Sequence, residues 1–476
     1  MSLARKPLIH ENKTRARLLL YGLPALFLVA ALAFIRYADF SRLTEASWAD
    51  MDFETIESVQ IFQEYLRFDT TYPNGNEIPA AEYIAGILSA EGIPVEIERL
   101  GSRYANLVAT LDGYDPRALA LHGHVDTEPV RHPEAWRFDP FGGVLEPPFI
   151  YGRGAFDMKS VTVAQVMAML SLKRSGTTPA RSVKLLLTSD EERASWLGTR
   201  RLLKVRPEWH DFWAVLTEGG AVEAVSVTEA KYWGTEFQQK RYIDIWVCDA
   251  DPARLEFLRQ ELQGRQTGRS LDPDVARFLP WYGPTRDRPV TQDLLASPAT
   301  LLERLRTYPV DVGPTVLTPL VDSMLRSLIE TFPVEADPTG GFRVRVILHL
   351  LPELQIADVW DELVGDRLNG FTYNIEEVST SVVGSDIEHP AFRHIHELIT
   401  EVYPEIPHGP IFLPFTATDA RYFRQYDVPV YGFTPFHILS GDAMKMRGVD
   451  ERLPAPAFVA GVELYEELVR RMVDEG

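Results

Sequence analysis

Residues 118–127 read ALALHGHVDT, an apolar run that ends at His124 and carries Asp126 two positions further on. A short buried strand that stops on polar, metal-competent side chains aims them at the space beyond its end. Two more strings repeat the pattern. YGRGAFDMKS (151–160) places Asp157 in a glycine-containing turn, and LLLTSDEE (185–192) ends an apolar run on Glu191 and Glu192. One imidazole with several carboxylates is a ligand set suited to Zn²⁺ or a similar divalent ion.

Outward from these strings the chain alternates strand and helix patterns. ANLVATL (105–111), VKLLLTS (183–189) and WAVLTEGG (213–220) read as buried strands, with SVTVAQVMAMLSLKRSG (160–176) as a helix between two of them. Such alternation predicts an α/β domain with a mainly parallel central sheet covered on both faces. Sites in these sheets lie at strand carboxyl ends, where the three strings fall. From about residue 229 the style changes. RYIDIWVCD followed by PARLEFLRQELQ, then GFRVRVILHL followed by IADVWDELVGDRL, gives two strand-then-helix units, which suit a smaller α+β, ferredoxin-like lid. The expected organisation is a tail and anchor at 1–40, a catalytic domain at 45–228, an inserted lid at 229–379, and a catalytic return at 380–476.

The chain holds 48 basic and 68 acidic residues among 476, a net charge of −20. That excludes nucleic acid as an expected partner, because phosphate binding needs a basic surface. Cys248 is the single cysteine, so no internal disulfide forms, and its strand setting predicts a small core residue. Leu18 to Ile35 is an uncharged, mostly apolar run, about the minimum for a membrane-spanning helix. Basic residues crowd before it and only Arg36 follows directly. This predicts a single-pass membrane protein with a cytoplasmic N-terminus and its main body outside the cytoplasm, in a periplasm, a lumen or the exterior. Ala31-Leu32-Ala33 also fits a cleaved signal peptide, against which Phe34 and Ile35 continue the run; a buried helix is the third reading.

His124-x-Asp126-Thr127, Trp136 with DPFGG (139–143), GRGAFDMK (152–159) and the paired glutamates stand in an order and spacing that resembles a zinc metallopeptidase family. That family comprises aminoacylases, glutamate carboxypeptidase-type enzymes and carboxypeptidase S. The resemblance runs from about residue 55 to the end, and the nearest likeness is the carboxypeptidase S and N-acyl-amino-acid hydrolase branch. It implies His124 as ligand of one metal, Asp126 as the group orienting its ring, Asp157 as a bridge between two metals and Glu192 as ligand of the other. It also implies Glu191 as general base and then acid. Two ligand positions are altered by the same comparison. Thr217-Glu218-Gly219 stands where Asp-Glu-Gly is usual, and Arg447 replaces the final histidine. Arginine cannot coordinate a cation. Glu218, or His437 ten residues before Arg447, is the available substitute ligand.

The lid has also changed. Glu330 and His349 fall where relatives grip a substrate carboxylate, whereas Thr418, Asp419 and Arg421 keep a Thr-Asp-x-Arg string, read either as substrate-side residues or as a stabilising turn. Two readings of function remain. One is a metal-dependent hydrolase of amide bonds in N-acyl amino acids or small peptides, using one or two divalent ions, with zinc the metal expected. The other is a catalytically lapsed, membrane-anchored homologue that binds a ligand or partner. A homodimer through the inserted segment is a partner the resemblance implies. If Arg447 sits at the histidine position, its guanidinium is expected beside Asp157 and Glu192, in place of one ion.

Overall fold

The computed structural model describes residues 51–225, 230–307, 317–377 and 383–474. The expected membrane segment, 18–35, lies outside the described residues; among those described, no helix is long and apolar enough to cross a membrane.

A nine-stranded sheet forms the main body. Its strands are β1 (Val95–Leu100), β2 (Tyr104–Leu111), β3 (Asp115–His124), β6 (Arg181–Thr188), β7 (Ala214–Thr217), β8 (Ala221–Ala224), β9 (Ala230–Gln239), β15 (His408–Leu413) and β16 (Val430–Gly432). They lie in the order β1-β2-β6-β3-β7-β16-β9-β15, with β8 paired to β9. The sheet is mixed. β6, β3, β7 and β16 run parallel, as do β9 and β15, while β1, β2 and β8 join by antiparallel pairing. Parallel alignment of β3, β6 and β7 brings three carboxyl ends to one edge, with His124 opposite Thr188 and Leu121 opposite Leu216.

The central strands are apolar on both faces, which a sheet requires when helices cover both sides. Helix Lys159–Arg174 is buried along nearly its whole length. It shares one core with helix Ala455–Asp474 and with Leu119, Leu121, Leu185 and Leu216 of the sheet. Leu186 and Val215 pack on the opposite side with Trp209, Phe212 and Phe423. A three-stranded sheet joins β4 (Val144–Glu146), β5 (Phe149–Tyr151) and β17 (Arg452–Pro454). Through it the 151–157 turn and the 447–451 string become neighbours.

A separate antiparallel sheet contains β10 (Arg241–Asp249), β11 (Leu328–Thr331), β12 (Glu335–Ala336), β13 (Phe342–Leu350) and β14 (Thr372–Glu377), ordered β11-β13-β10-β14. Ile243, Ile245, Val344 and Val346 on one face pack against Leu255, Leu258 and Val359 from helices Pro252–Leu262 and Ile356–Leu363. Alternation then sends Tyr242, Asp244, Arg345 and His349 to the other face. Cys248 on β10 is half-buried instead of core, and its thiol donates to Asp337 Oδ2 at 3.4 Å.

The segment expected to be lid throughout is shared between the two bodies. β9 belongs to the large sheet, and the helices from Pro273–Tyr282 to Pro319–Met324 pack Phe278, Leu279 and Leu295 onto Tyr232, Phe237 and Phe412 of β9 and β15. The Pro- and Arg-rich composition of this stretch hid helices whose leucines and aromatics cover the sheet edge.

Candidate metal centre

His124 ends β3 with its ring buried. Its Nδ1 donates to the backbone carbonyl of Asp126 at 2.9 Å, which leaves Nε2 with a lone pair. That nitrogen lies 3.4 Å from Asp157 Oδ1 and 3.7 Å from Glu218 Oε1. Ligand atoms of these three residues all fall within 4.8 Å of one another. His124 Nε2 and Asp157 Oδ1 are buried and find no hydrogen-bond partner among the described residues. Unmet buried polar atoms are costly, and a divalent ion among them would satisfy both, so the donor set fits one metal. Without one, burial opposes charge on His124, yet Asp126, Asp157 and Glu218 together hold its pKa well above the ordinary value.

Thr217 plays a different part from the one its sequence position suggested. It closes β7 with its side chain on the far side, where its hydroxyl meets His122 Nδ1 at 3.0 Å. The next residue faces the opposite way, so Glu218 reaches the cleft while Thr217 cannot. Gly219 follows at φ +108°, where an added Cβ would crowd Leu413 and Thr418 to 3.2 Å. His437 is also outside the cluster; its ring stands edge-on to Trp233 with centroids 6.1 Å apart.

Arg447 fills the other half. Its Nε donates to Asp157 Oδ2 at 2.7 Å, and its Nη2 lies 3.0 Å from Glu192 Oε2. Burial pushes the Asp157 carboxyl up, but Arg447 and His124 outweigh it and hold its pKa below the usual range. Glu192 stays raised, chiefly by burial, despite Arg447. Glu191 is buried beside it, and burial together with Asp419 pushes its pKa well up. The Arg421 guanidinium lies 3.9 Å from Glu191.

The scaffold around these groups is polar and tightly paired. Asp126 Oδ1 and Oδ2 accept the Glu191 and Glu192 backbone N–H groups at 2.9 and 3.0 Å, so its carboxylate fixes the glutamate turn while its carbonyl fixes the imidazole. Gly154 sits at φ +81°, and a Cβ there would meet Thr127 Cγ2 at 2.7 Å, which is why the turn before Asp157 needs glycine. Thr418 exchanges hydrogen bonds with Gln239, and Asp419 accepts from Ser195, so those two build a turn behind Glu191. On the lid, Arg345 pairs with Asp244 at 2.8 Å and His349 with Glu330 at 3.1 Å. The Arg421 guanidinium lies 5.9 Å from the Tyr242 ring.

Three residues of consequence were not singled out in the sequence. His122 is held by the hydroxyls of Thr188, Thr199 and Thr217, and burial lowers its pKa to about 4. Arg153 and Glu451 form a buried pair at 2.5 Å. Glu451 Oε1 accepts the Phe156 and Asp157 N–H groups, and Arg153 Nη2 donates to the Arg447 carbonyl at 3.2 Å, so this pair joins Asp157 to Arg447. The signal was available: a charged residue in each of two strings already assigned to the site.

Comparison with known proteins agrees with this geometry. The sequence profile of peptidase family M20/M25/M40 matches residues 120–471. Aminoacylase-1 of Sus scrofa is 26% identical over 427 residues, spanning 87% of this chain and 94% of its own, and the Homo sapiens protein is also 26% identical, over 431 residues. Among solved structures, an M20 family metallo-carboxypeptidase from Sulfolobus solfataricus superposes with a TM-score of 0.65 at 14% identity, covering 87% of this chain and 99% of that one. Human carnosine dipeptidase 1 gives 0.62 at 14%, covering 89% and 98%.

Proposed function

The chain belongs to peptidase family M20/M25/M40, and from the geometry of its site we propose that it is a one-metal amide hydrolase acting on N-acyl amino acids or small peptides. The observation that carries this is the split of the site. His124, Asp157 and Glu218 form a complete ligand set, while Arg447 pairs with the two carboxylates that remain. A divalent ion held by the first three, zinc by the chemistry of a histidine with two carboxylates, supplies Lewis acidity and eases water deprotonation.

The chain's own groups do the rest. Glu191 accepts a proton from the attacking water as its oxygen bonds to the scissile carbonyl carbon. It then returns that proton to the nitrogen as the carbon–nitrogen bond breaks, leaving a carboxylic acid and an amine. A carboxyl whose pKa is raised by burial and by Asp419 suits both transfers. Arg421 supplies a positive charge 3.9 Å from it, and Asp126 fixes the turn that presents it. Arg447 holds Asp157 ionised and pairs with Glu192 without offering a coordination site.

A second reading, ligand binding without turnover, is favoured by the same arginine, because it ties up a carboxylate that would otherwise serve a second ion. One experiment separates them: metal content by elemental analysis with amide hydrolysis on the same preparation. One ion per chain with turnover lost in His124→Ala supports the hydrolase; one ion with no turnover of any amide supports the binder, and two ions in dilute metal refute the one-metal site. We propose further that residues 18–35 form an uncleaved anchor with the main body outside the cytoplasm. A C-terminal reporter active only in the cytoplasm tests that topology, and activity there would sink it.

A further inference from the structure

Arg421 lies in the short helix Ala420–Arg424 and is 5% exposed as a side chain, yet its carboxylate neighbours stand off. Its Nη2 lies 3.9 Å from Glu191 Oε1 and 3.9 Å from Asp419 Oδ1, beyond hydrogen-bond reach of either. Its Nε is buried and finds no hydrogen-bond partner among the described residues. Other arginines of the region are engaged. Arg447 bonds Asp157 and Glu192, Arg345 bonds Asp244, and Arg424 holds Glu236 through two contacts of 2.8 and 2.9 Å. A buried N–H without an acceptor is costly, so its presence beside the reactive centre calls for a use.

Packing holds this guanidinium in place. It lies 4.7 Å from the Tyr422 ring and 5.9 Å from the Tyr242 ring of the lid. Tyr422 is pinned by its hydroxyl, which donates to the Ala194 carbonyl at 2.7 Å. The preceding turn is locked by Gln239, which accepts from the Thr418 N–H at 2.7 Å and donates to the Thr418 carbonyl at 2.9 Å. That turn borders the reactive centre, because Thr418 lines one cavity with Asp157, Glu218 and Arg447. Glu191 joins the two, lying 3.9 Å from Arg421 and within electrostatic reach of His124 and Glu218. A fixed cation with an unused donor, beside the base and the metal cluster, is arranged for negative charge that appears only during reaction.

Resting on the hydrolase reading above, we propose that Arg421 is a catalytic residue whose guanidinium donates to the oxyanion formed on the scissile carbonyl. As the water oxygen bonds to the carbonyl carbon, the C=O π pair moves onto oxygen and Glu191 takes the water proton. When that pair returns to rebuild the carbonyl, the carbon–nitrogen bond breaks and the nitrogen receives the proton. Arg421 gains and loses no proton in either step.

The test uses the full chain loaded with zinc, N-acetylglycine as substrate, and carboxyethyl methyl phosphinate, in which a tetrahedral PO₂⁻ and a CH₂ replace the scissile C=O and N–H. Arg421→Met is expected to lower kcat/KM and phosphinate affinity by the same factor, about a hundred- to a thousandfold, while zinc content and glycine binding stay unchanged. Arg421→Lys, which keeps the charge, should lose less of both, and it covers the case in which the methionine variant fails to fold. In a Glu191→Gln background, Arg421→Met should weaken phosphinate binding by the same factor. Disappearance of the effect there would show that Arg421 acts only through Glu191 and would overturn the assignment. Equal phosphinate affinity in the wild type and both variants, with the amide still hydrolysed, would overturn it too. Phosphinate binding that depends on Arg421, with no amide hydrolysed, would leave an anion contact without catalysis and remove the hydrolase reading instead.

Discussion

Replacing Arg447 by methionine, which keeps much of the side-chain volume and removes the charge, tests whether the guanidinium stands in for a second ion. Its contacts with Asp157 and Glu192 measure 2.7 and 3.0 Å, and both carboxylates are at least 95% buried as side chains while the arginine is 36% exposed. At an effective dielectric near 20, each contact is worth about 6 kcal/mol before solvation is counted. Desolvation of the arginine and screening through its exposed part remove most of that, leaving a net of about 2–3 kcal/mol. Metal-free Arg447→Met protein should be less stable than wild type by that amount in urea at neutral pH. The sign with pH follows from Asp157. Its folded pKa is depressed, with Arg447 and His124 outweighing burial, so its stabilisation is present above the unfolded carboxyl value of about 4 and fades as pH falls through the folded value. The deficit should therefore be full near neutrality and shrink in acid. Arg447→His, which restores a coordinating side chain, should raise the metal content from one ion to two. Equal urea midpoints for wild type and Arg447→Met in chelator at neutral pH would refute the counter-ion argument, as would an unchanged metal content in Arg447→His.

Glu191→Gln is expected to lower amide hydrolysis by about a hundred- to ten-thousand-fold while elemental analysis still finds the ion; undiminished turnover would remove Glu191 from proton transfer. Glu451→Gln strands the Arg153 guanidinium, which is 2% exposed as a side chain, and should cost about 3–5 kcal/mol in urea unfolding, with a cost below about 1 kcal/mol contradicting its linking role. His124 carries a raised pKa in the metal-free state, so metal binding near neutral pH should release a proton from it and weaken as pH falls. Calorimetry in buffers of differing ionisation heat reads that release, and buffer-independent heats would show a neutral His124.

The main strands were legible in the sequence because each is short, apolar and followed by a polar ligand string; His124, Asp157, Glu191 and Glu192 were found that way. The role of Glu218 was harder to read. Whether position 217 or 218 faces the cleft depends on the residue at which β7 ends, and a one-residue uncertainty exchanges the two faces. The sequence ties Asp126 to His124, but only the structure separates its carbonyl, which touches the ring, from its carboxylate, which holds the glutamate turn. The Arg153–Glu451 pair spans a separation of 298 residues, a contact that no local pattern announces. The helices between Pro273 and Met324 were missed because prolines at helix starts read as breaks, although the first turn tolerates them.

Those helices also change how the lid can move. The chain passes between the two bodies after Gln239, again between Leu262 and Pro273, back between Met324 and Leu328, and finally after β14. A lid hung on two connections can swing about the line joining them; one fastened repeatedly, with a helical arm glued to Tyr232, Phe237 and Phe412, is confined to small sliding displacements. The first joint is a single residue, Lys240, whose side chain is 1% exposed, so little slack exists there. Access to the metal cluster in such an architecture would be governed by side-chain motions at the cleft and not by domain rotation.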